Sequence, residues 1–127
     1  IEVAYPRSVE DLEARVKRGE FFWVASELAT IFGYLQLSVC EWQWQGWIEH
    51  LIVHRPYRRQ GIAMNLLEAA EQWAREARLR AISAIVQPKN DPTICLLLKR
   101  GYAFSGFMDR HYENGDVGLV YSLNLPR

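Results

Sequence analysis

The residues best suited to chemistry lie between His54 and Ala63, in the run HRPYRRQGIA. Arg55, Arg58 and Arg59 supply three guanidinium groups, and Gln60 and Gly61 lead directly into a helical pattern. The first N–H groups of a helix have no partners inside it, and the helix dipole places partial positive charge on them. Gly61 removes a side chain where the backbone must approach a ligand, and Ala63 keeps the next turn narrow. Residues of these types in this order form a seat for phosphate or pyrophosphate. The competing reading is a solvated basic turn ahead of an ordinary helix, because short basic turns are common.

The elements that must position this junction follow from periodicity. Residues Pro6–Glu20 read as a helix capped by Ser8 and ended by Gly19. Strand patterns follow at Phe21–Leu28, Phe32–Trp42 and Gly46–His54. In the third of these, strict alternation places Trp47, Glu49, Leu51 and Val53 on one face and Ile48, His50 and Ile52 on the other. Gly61–Arg78 is an amphipathic helix with an apolar stripe of Ile62, Leu66, Ala69, Trp73 and Ala77 and a Glu71–Arg75 pair at i,i+4. A strand over Arg80–Gln87 precedes a helix over Pro92–Arg100, capped by Asn90 and stopped by Gly101. Two last strands, Tyr102–Met108 and Val117–Leu125, are joined through the polar run Asp109–Asp116. Helices set among both hairpins and crossovers predict an α/β domain with a mixed sheet.

Bulk properties narrow the function classes. The chain has 127 residues, which suits one domain over 1–127, and half of them are hydrophobic. Lysine plus arginine and aspartate plus glutamate number 15 each, so no global field draws the protein to nucleic acid or membrane, and any anion site must be local. Cys40 and Cys95 lack metal-ligand spacing and predict free thiols in a reducing cytoplasm, with no metal. No apolar run is long enough to span a bilayer, and a start at Ile1 leads us to expect residues ahead of it.

The run VHRPYRRQGIA resembles the acetyl-CoA signature of the GNAT acetyltransferases, Arg/Gln-x-x-Gly-x-Gly/Ala, with Arg58, Gly61 and Ala63 at its fixed positions. IEHLIV resembles the fourth strand of that fold, and NDPTICLLLKRGY resembles its second sequence block, in which Asn90 opens a helix that ends at Gly101 and Tyr102. Within the family, IEHLIV, GIAMNLLEAAEQWA and SGFMD look like segments of the streptothricin-type antibiotic acetyltransferases. The resemblance implies a mixed sheet of about six to seven strands flanked by helices, with the fourth and fifth strands splayed. It leaves the family's first strand without a counterpart ahead of Ser8, so that strand is expected to be missing or truncated.

The resemblance also implies a function. Acetyl-CoA would pair its pantetheine arm with the backbone of Leu51, Ile52 and Val53. Its pyrophosphate would rest on the N–H groups of Arg59, Gln60, Gly61, Ile62 and Ala63, beside Arg58, with Asn90 also lining the cofactor. A primary amine of a small molecule or protein would attack the thioester directly in a ternary complex, with no nucleic-acid or membrane partner. Glu49 stands where many relatives carry an acid and is the candidate general base; the alternative is a strand carboxylate facing solvent or an arginine. Two positions depart from the pattern. Leu97 replaces the tyrosine that protonates the leaving thiolate in many relatives, and Ile85 replaces a common glutamate. These departures motivate the rival expectation of a CoA-binding sensor or interaction module without turnover.

Other candidates divide by role. His50 is expected to be packed or hydrogen-bonded, and His54 either touches phosphate or is an exposed turn residue. Cys95 reads as a small apolar residue in the cofactor channel. Tyr102 and Tyr112 are proton donors if their loops fold inward, and His111 lies in the final hairpin region, which the resemblance implies often borders the acceptor site, with its role open. Trp42, Trp44 and Trp47 form an aromatic wall for a flat or cationic acceptor, near Glu41 and Glu49, or one face of a hairpin packed on a helix, or the surface of a homodimer, with a structural role favoured for at least one of them.

Overall fold

The computed structural model describes residues 2–4 and 19–126. The elements in chain order are β1 Glu2–Ala4, β2 Glu20–Glu27, β3 Thr30–Cys40, β4 Gln45–Val53, α1 Ile62–Glu76, β5 Ala81–Val86, α2 Asp91–Lys99, β6 Ala103–Met108 and β7 Gly118–Asn124. The strands form one seven-stranded sheet in the order β1-β2-β3-β4-β5-β7-β6. Every pairing is antiparallel except β4 with β5. The crossover between those two strands is α1, as a parallel pair requires. The mixed α/β architecture read from the sequence is the observed one.

The described start of the chain narrows one expectation, a first strand missing or truncated, to a short strand. Glu2–Ala4 is a strand paired with Ala25 and its neighbours in β2, so the sheet does have a first strand ahead of Ser8. The helix expected over Pro6–Glu20 lies outside the described residues apart from its end. There Gly19 forms a turn and Glu20 already opens β2.

The core lies between one face of the sheet and the two helices. Trp23, Ala25, Leu35, Leu37, Ile82, Ala84 and Val86 meet Ile62, Leu66, Leu67, Ala70 and Ala74 of α1 and Leu97 of α2. Each fully buried Leu or Ile contributes on the order of 1.5–3 kcal/mol. Phe21 and Trp23 stack around Trp73 with ring centroids at 4.3 and 5.7 Å, which fastens the C-terminal half of α1 to β2. On α1 the buried line is Ile62, Leu66, Leu67, Ala70, Glu71 and Ala74. The stripe is therefore rotated from the expected one, with Ala69, Trp73 and Ala77 at its half-buried margin.

That rotation buries a charge. Glu71 does not form a surface pair with Arg75. Its Oε1 accepts from Arg100 Nη2 at 2.6 Å, and its Oε2 accepts from the Tyr102 hydroxyl at 3.1 Å. Arg100 also reaches Glu68 at 3.2 Å. Arg100 and Tyr102 flank Gly101 at the end of α2, so this cluster clamps the end of α2 onto α1. Burial, with the Glu71 carboxylate beside it, pushes the Tyr102 phenol far above its ordinary range.

Candidate functional site

β4 contains one residue too many for its partner. Leu37 of β3 pairs with Ile48 and the adjacent Gln36 pairs with His50, so Glu49 is an unpaired bulge. Cross-strand partners share a face. The Leu37–Ile48, Leu35–Leu51 and Gly33–Val53 pairs therefore put Ile48 with Leu51 and Val53 on the core side. This corrects the strict alternation expected for β4, because a bulge shifts the side-chain phase by one. It also sends His50 outward, where it is exposed but stands beside the Tyr34 ring with centroids 6.4 Å apart.

The bulge falls where β4 leaves β5. Their parallel pairing runs from Gln45–Ala81 to Ile48–Ala84 and then stops, although β4 continues to Val53 and β5 to Val86. Beyond Ile48, the backbone polar groups of β4 that point towards β5 lose their ladder partners. An extended ligand can take that place by strand addition. The opening is a cavity of about 230 Å³. It is lined by Ile48–Ile52 of β4, by Ala84–Gln87, by Asn90, Thr93 and Leu97 around α2, and by Tyr112.

A larger cleft of about 810 Å³ continues from it and shares Leu51, Ile52, Asn90 and Thr93. Its far walls are Val53, Tyr57, Arg58, Arg59, Gly61, Ile62, Ala63 and Met64 on one side and Pro92, Cys95, Leu96 and Lys99 on the other. The volume is in the range of small-molecule and cofactor sites.

The helix start at this cleft has the geometry of an anion seat. Arg59 and Gly61 both have left-handed backbone, with φ of +65° and +77°. Gly61 is the N-cap of α1 and makes no side-chain capping bond. The helical ladder begins with the Asn65 N–H donating to the Gly61 carbonyl at 3.0 Å. The N–H groups of Ile62, Ala63 and Met64 precede it, so the cleft receives donors with no ladder partner. Arg58 is held by its own backbone context, with Nε donating to the Val53 carbonyl at 3.0 Å. The Asn90 side chain accepts from the Thr93 N–H at 3.4 Å, capping α2 as the sequence indicated.

The expected residues therefore separate. The structure brings Leu51, Ile52, Val53, Arg58, Arg59, Gly61, Ile62, Ala63 and Asn90 to one cleft, and Glu49 to the adjoining cavity. Gln60 is exposed and does not line the cleft. Arg55 and His54 belong to the turn ahead of it and line neither space. Tyr102 is buried against Glu71, away from both. Cys95 is exposed on the cleft wall. The structure adds Lys99, one α-helical turn beyond Cys95, as a further cation there. Its i,i+4 spacing from Cys95 was the signal in the sequence that places it on that face.

None of the three clustered tryptophans lines either space. Trp42 and Trp44 sit in the turn that links β3 to β4, with the Trp44 carbonyl accepting from the Arg80 N–H at 2.7 Å. That turn is at the opposite end of β4 from Val53, roughly 30 Å away at the usual strand rise. This placement takes Trp42 and Trp44 away from the two spaces, whereas Trp47 lies within β4 next to Ile48, opposite Ser38 and Ser83.

The comparisons with known proteins agree with this geometry. Residues 2–102 match the Acetyltransferase (GNAT) family. A streptothricin acetyltransferase of Escherichia coli is 36% identical over 59 residues, which is 46% of this chain and 34% of that protein, so the match spans about a third of that curated relative. Among solved structures, nourseothricin acetyltransferase superposes with a TM-score of 0.79 at 21% identity, over 87% of this chain and 68% of its own. A Bacillus anthracis protein assigned as a streptothricin acetyltransferase, solved in complex with acetyl coenzyme A, gives 0.76 at 24% identity over 85% and 64%. The ribosomal-protein-S18-alanine N-acetyltransferase of Escherichia coli gives 0.78 at 16% identity over 98% and 81%. A sheet opened between its parallel strands, a glycine-capped helix facing the gap, and a family match across most of the length lead to one assignment: the chain belongs to the GNAT acetyltransferase family.

Proposed function

We propose that the protein is an N-acetyltransferase that moves an acetyl group from acetyl-CoA to a primary amine of a small molecule or protein. The observation that carries this reading is the continuity of two spaces. The cleft that ends at the free N–H groups of α1 opens directly into the gap between β4 and β5. A diphosphate at one end and a thioester at the other would be joined by an arm of extended shape, for which the unpaired edge of β4 is suited. Arg58, Arg59 and Lys99 would offset the charge of the phosphates. Acetyl-CoA, when bound, supplies the activated acetyl group.

The chain's own residues would then serve the acceptor. Glu49 is exposed at the bulge and borders the cavity, so it can take a proton from the incoming ammonium, directly or through water. Backbone N–H groups freed beyond Ile48 can polarise a carbonyl held in the gap. The names of the relatives favour an antibiotic-type or protein amine as acceptor. The free thiols of Cys40 and Cys95 fit a cytoplasmic setting.

The test is release of free thiol from acetyl-CoA across a panel of amines, including streptothricin-class antibiotics and peptides with a free N-terminus. Turnover with at least one amine is expected. Tight cofactor binding with no turnover across the panel would instead identify a CoA sensor, the reading that Leu97 favours. Failure to bind coenzyme A at all would end both readings.

A further inference from the structure

The acetyltransferase reading leaves one role unfilled, and any candidate for that role rests on the same reading. A departing thiolate is helped by a positioned proton donor, and Leu97 offers none. Its side chain is only 1% exposed and is part of the core, so that helix position is committed to packing. The other tyrosine considered as a donor, Tyr102, has its hydroxyl engaged by Glu71.

A phenol nevertheless reaches the same cavity from another direction. Tyr112 belongs to the connection between β6 and β7 and lines the gap between β4 and β5 together with Glu49 and Leu97. Its backbone is tied down on both sides. Its N–H donates to the Asp116 carbonyl at 3.2 Å, and its carbonyl accepts from the Gly115 N–H at 2.8 Å. Asn114 tightens the same turn by accepting from the Asp116 N–H at 3.0 Å. The ring is braced as well, since His111 stands edge-on to it with centroids 4.8 Å apart. His111 is in turn seated on Gly118, where an added Cβ would lie 3.1 Å from the histidine Cβ. No hydrogen bond to another described residue engages the Tyr112 hydroxyl.

We infer that Tyr112 is the general acid of the acetyl transfer, taking the place left by the leucine at position 97. The amine nitrogen forms the new C–N bond, and the thioester C–S bond breaks with its electron pair leaving on sulfur. The Tyr112 phenol gives its proton to that sulfur. The proton lost by the amine passes to Glu49 and on to solvent, and solvent reprotonates the phenolate. Partial burial holds the phenol above its ordinary range, so it remains protonated through neutral and mildly alkaline pH. Glu49 and His50 of β4 line the same cavity, His111 stands against the ring, and Glu113 and Asp116 belong to the same turn.

The experiment compares Tyr112→Phe with the unaltered protein on an amine that the latter acetylates. A kcat lower by about 10²-fold is expected, the lower end of what a positioned proton donor contributes, with acetyl-CoA affinity unchanged. A second arm places 3-fluorotyrosine at position 112. Fluorine makes the phenol more acidic, so an acid role requires the alkaline limb of kcat to move to lower pH, a shift that a purely structural ring would not produce. Undiminished turnover in Tyr112→Phe, or an alkaline limb that does not move, overturns this inference and leaves the acetyltransferase reading intact. If the unaltered protein turns over no amine, both fall together.

Discussion

At the scale of single residues, the proposed site rests on two positions, Gly61 and Glu49. A Cβ added at Gly61 meets nothing within 4 Å, so the space is open. Its φ of +77° disfavours any other residue by about 1–2 kcal/mol. Gly61→Trp is expected to abolish binding of coenzyme A in a calorimetric titration, because the indole would project where the diphosphate is proposed to sit. Gly61→Ala should cost stability and leave weakened but measurable binding. Equal affinity in the tryptophan variant would remove the helix start from the cofactor site. Glu49→Gln addresses the chemistry. It is expected to lower kcat by about 10²-fold and to alter the acidic limb of the pH–rate profile, while acetyl-CoA affinity holds. An unchanged profile would remove Glu49 as the base.

At the scale of elements, the cleft is a gap between two helices and an opened strand pair, so its width depends on how α1 and α2 are held. The Glu71–Arg100–Tyr102 cluster is what joins the core of α1 to the end of α2. Glu71 is fully buried and Arg100 is a quarter exposed along its side chain. Arg100→Met leaves the carboxylate buried with the tyrosine hydroxyl as its remaining donor. We expect a loss of about 2–4 kcal/mol in denaturant unfolding, somewhat reduced by the solvent access of the arginine. A loss under about 0.5 kcal/mol would show that α2 is held by Leu97 and its apolar neighbours alone. The exposed Arg100–Glu68 contact is worth little by comparison.

At the scale of the whole molecule, what could be read in advance follows how local the signal was. The junction at Gly61, the Asn90 cap and the Gly101 stop are short-range backbone devices, and each sits where the sequence placed it. From β2 onward the strand and helix order followed for the same reason. The bulge at Glu49 is only hinted at in the sequence, where strict alternation would put a carboxylate on the face of Leu51 and Val53; the extra residue itself appears only against the register of β3. The burial of Glu71 escaped likewise, since its partners are 29 and 31 residues away and a surface partner lay four residues along the same helix. The clustered tryptophans left two readings open because composition does not say which end of a strand a turn occupies, and the structure puts Trp42 and Trp44 at the end of β4 far from Val53. Tyr112 was visible as a residue, but its arrival in the cavity depends on how a long connection folds back. Among the described residues, no helix is long and apolar enough to cross a membrane.

With Glu49 removed from the chain altogether, Ile48 and Leu51 keep their inward aim and His50 its outward one, so the hydrophobic interior loses nothing. What would vanish is the kink that coincides with the parting of the two parallel neighbours. A protein shortened by that single amino acid should zip β4 and β5 together, melt at the same or a higher temperature, and fail to take up coenzyme A. A lower melting temperature, or uptake that survives the deletion, would mean the parting is enforced by something other than this surplus residue. If the deletion behaves as expected, the fold carries an imperfection that could be erased without harm to folding, and its usefulness lies in never having been erased.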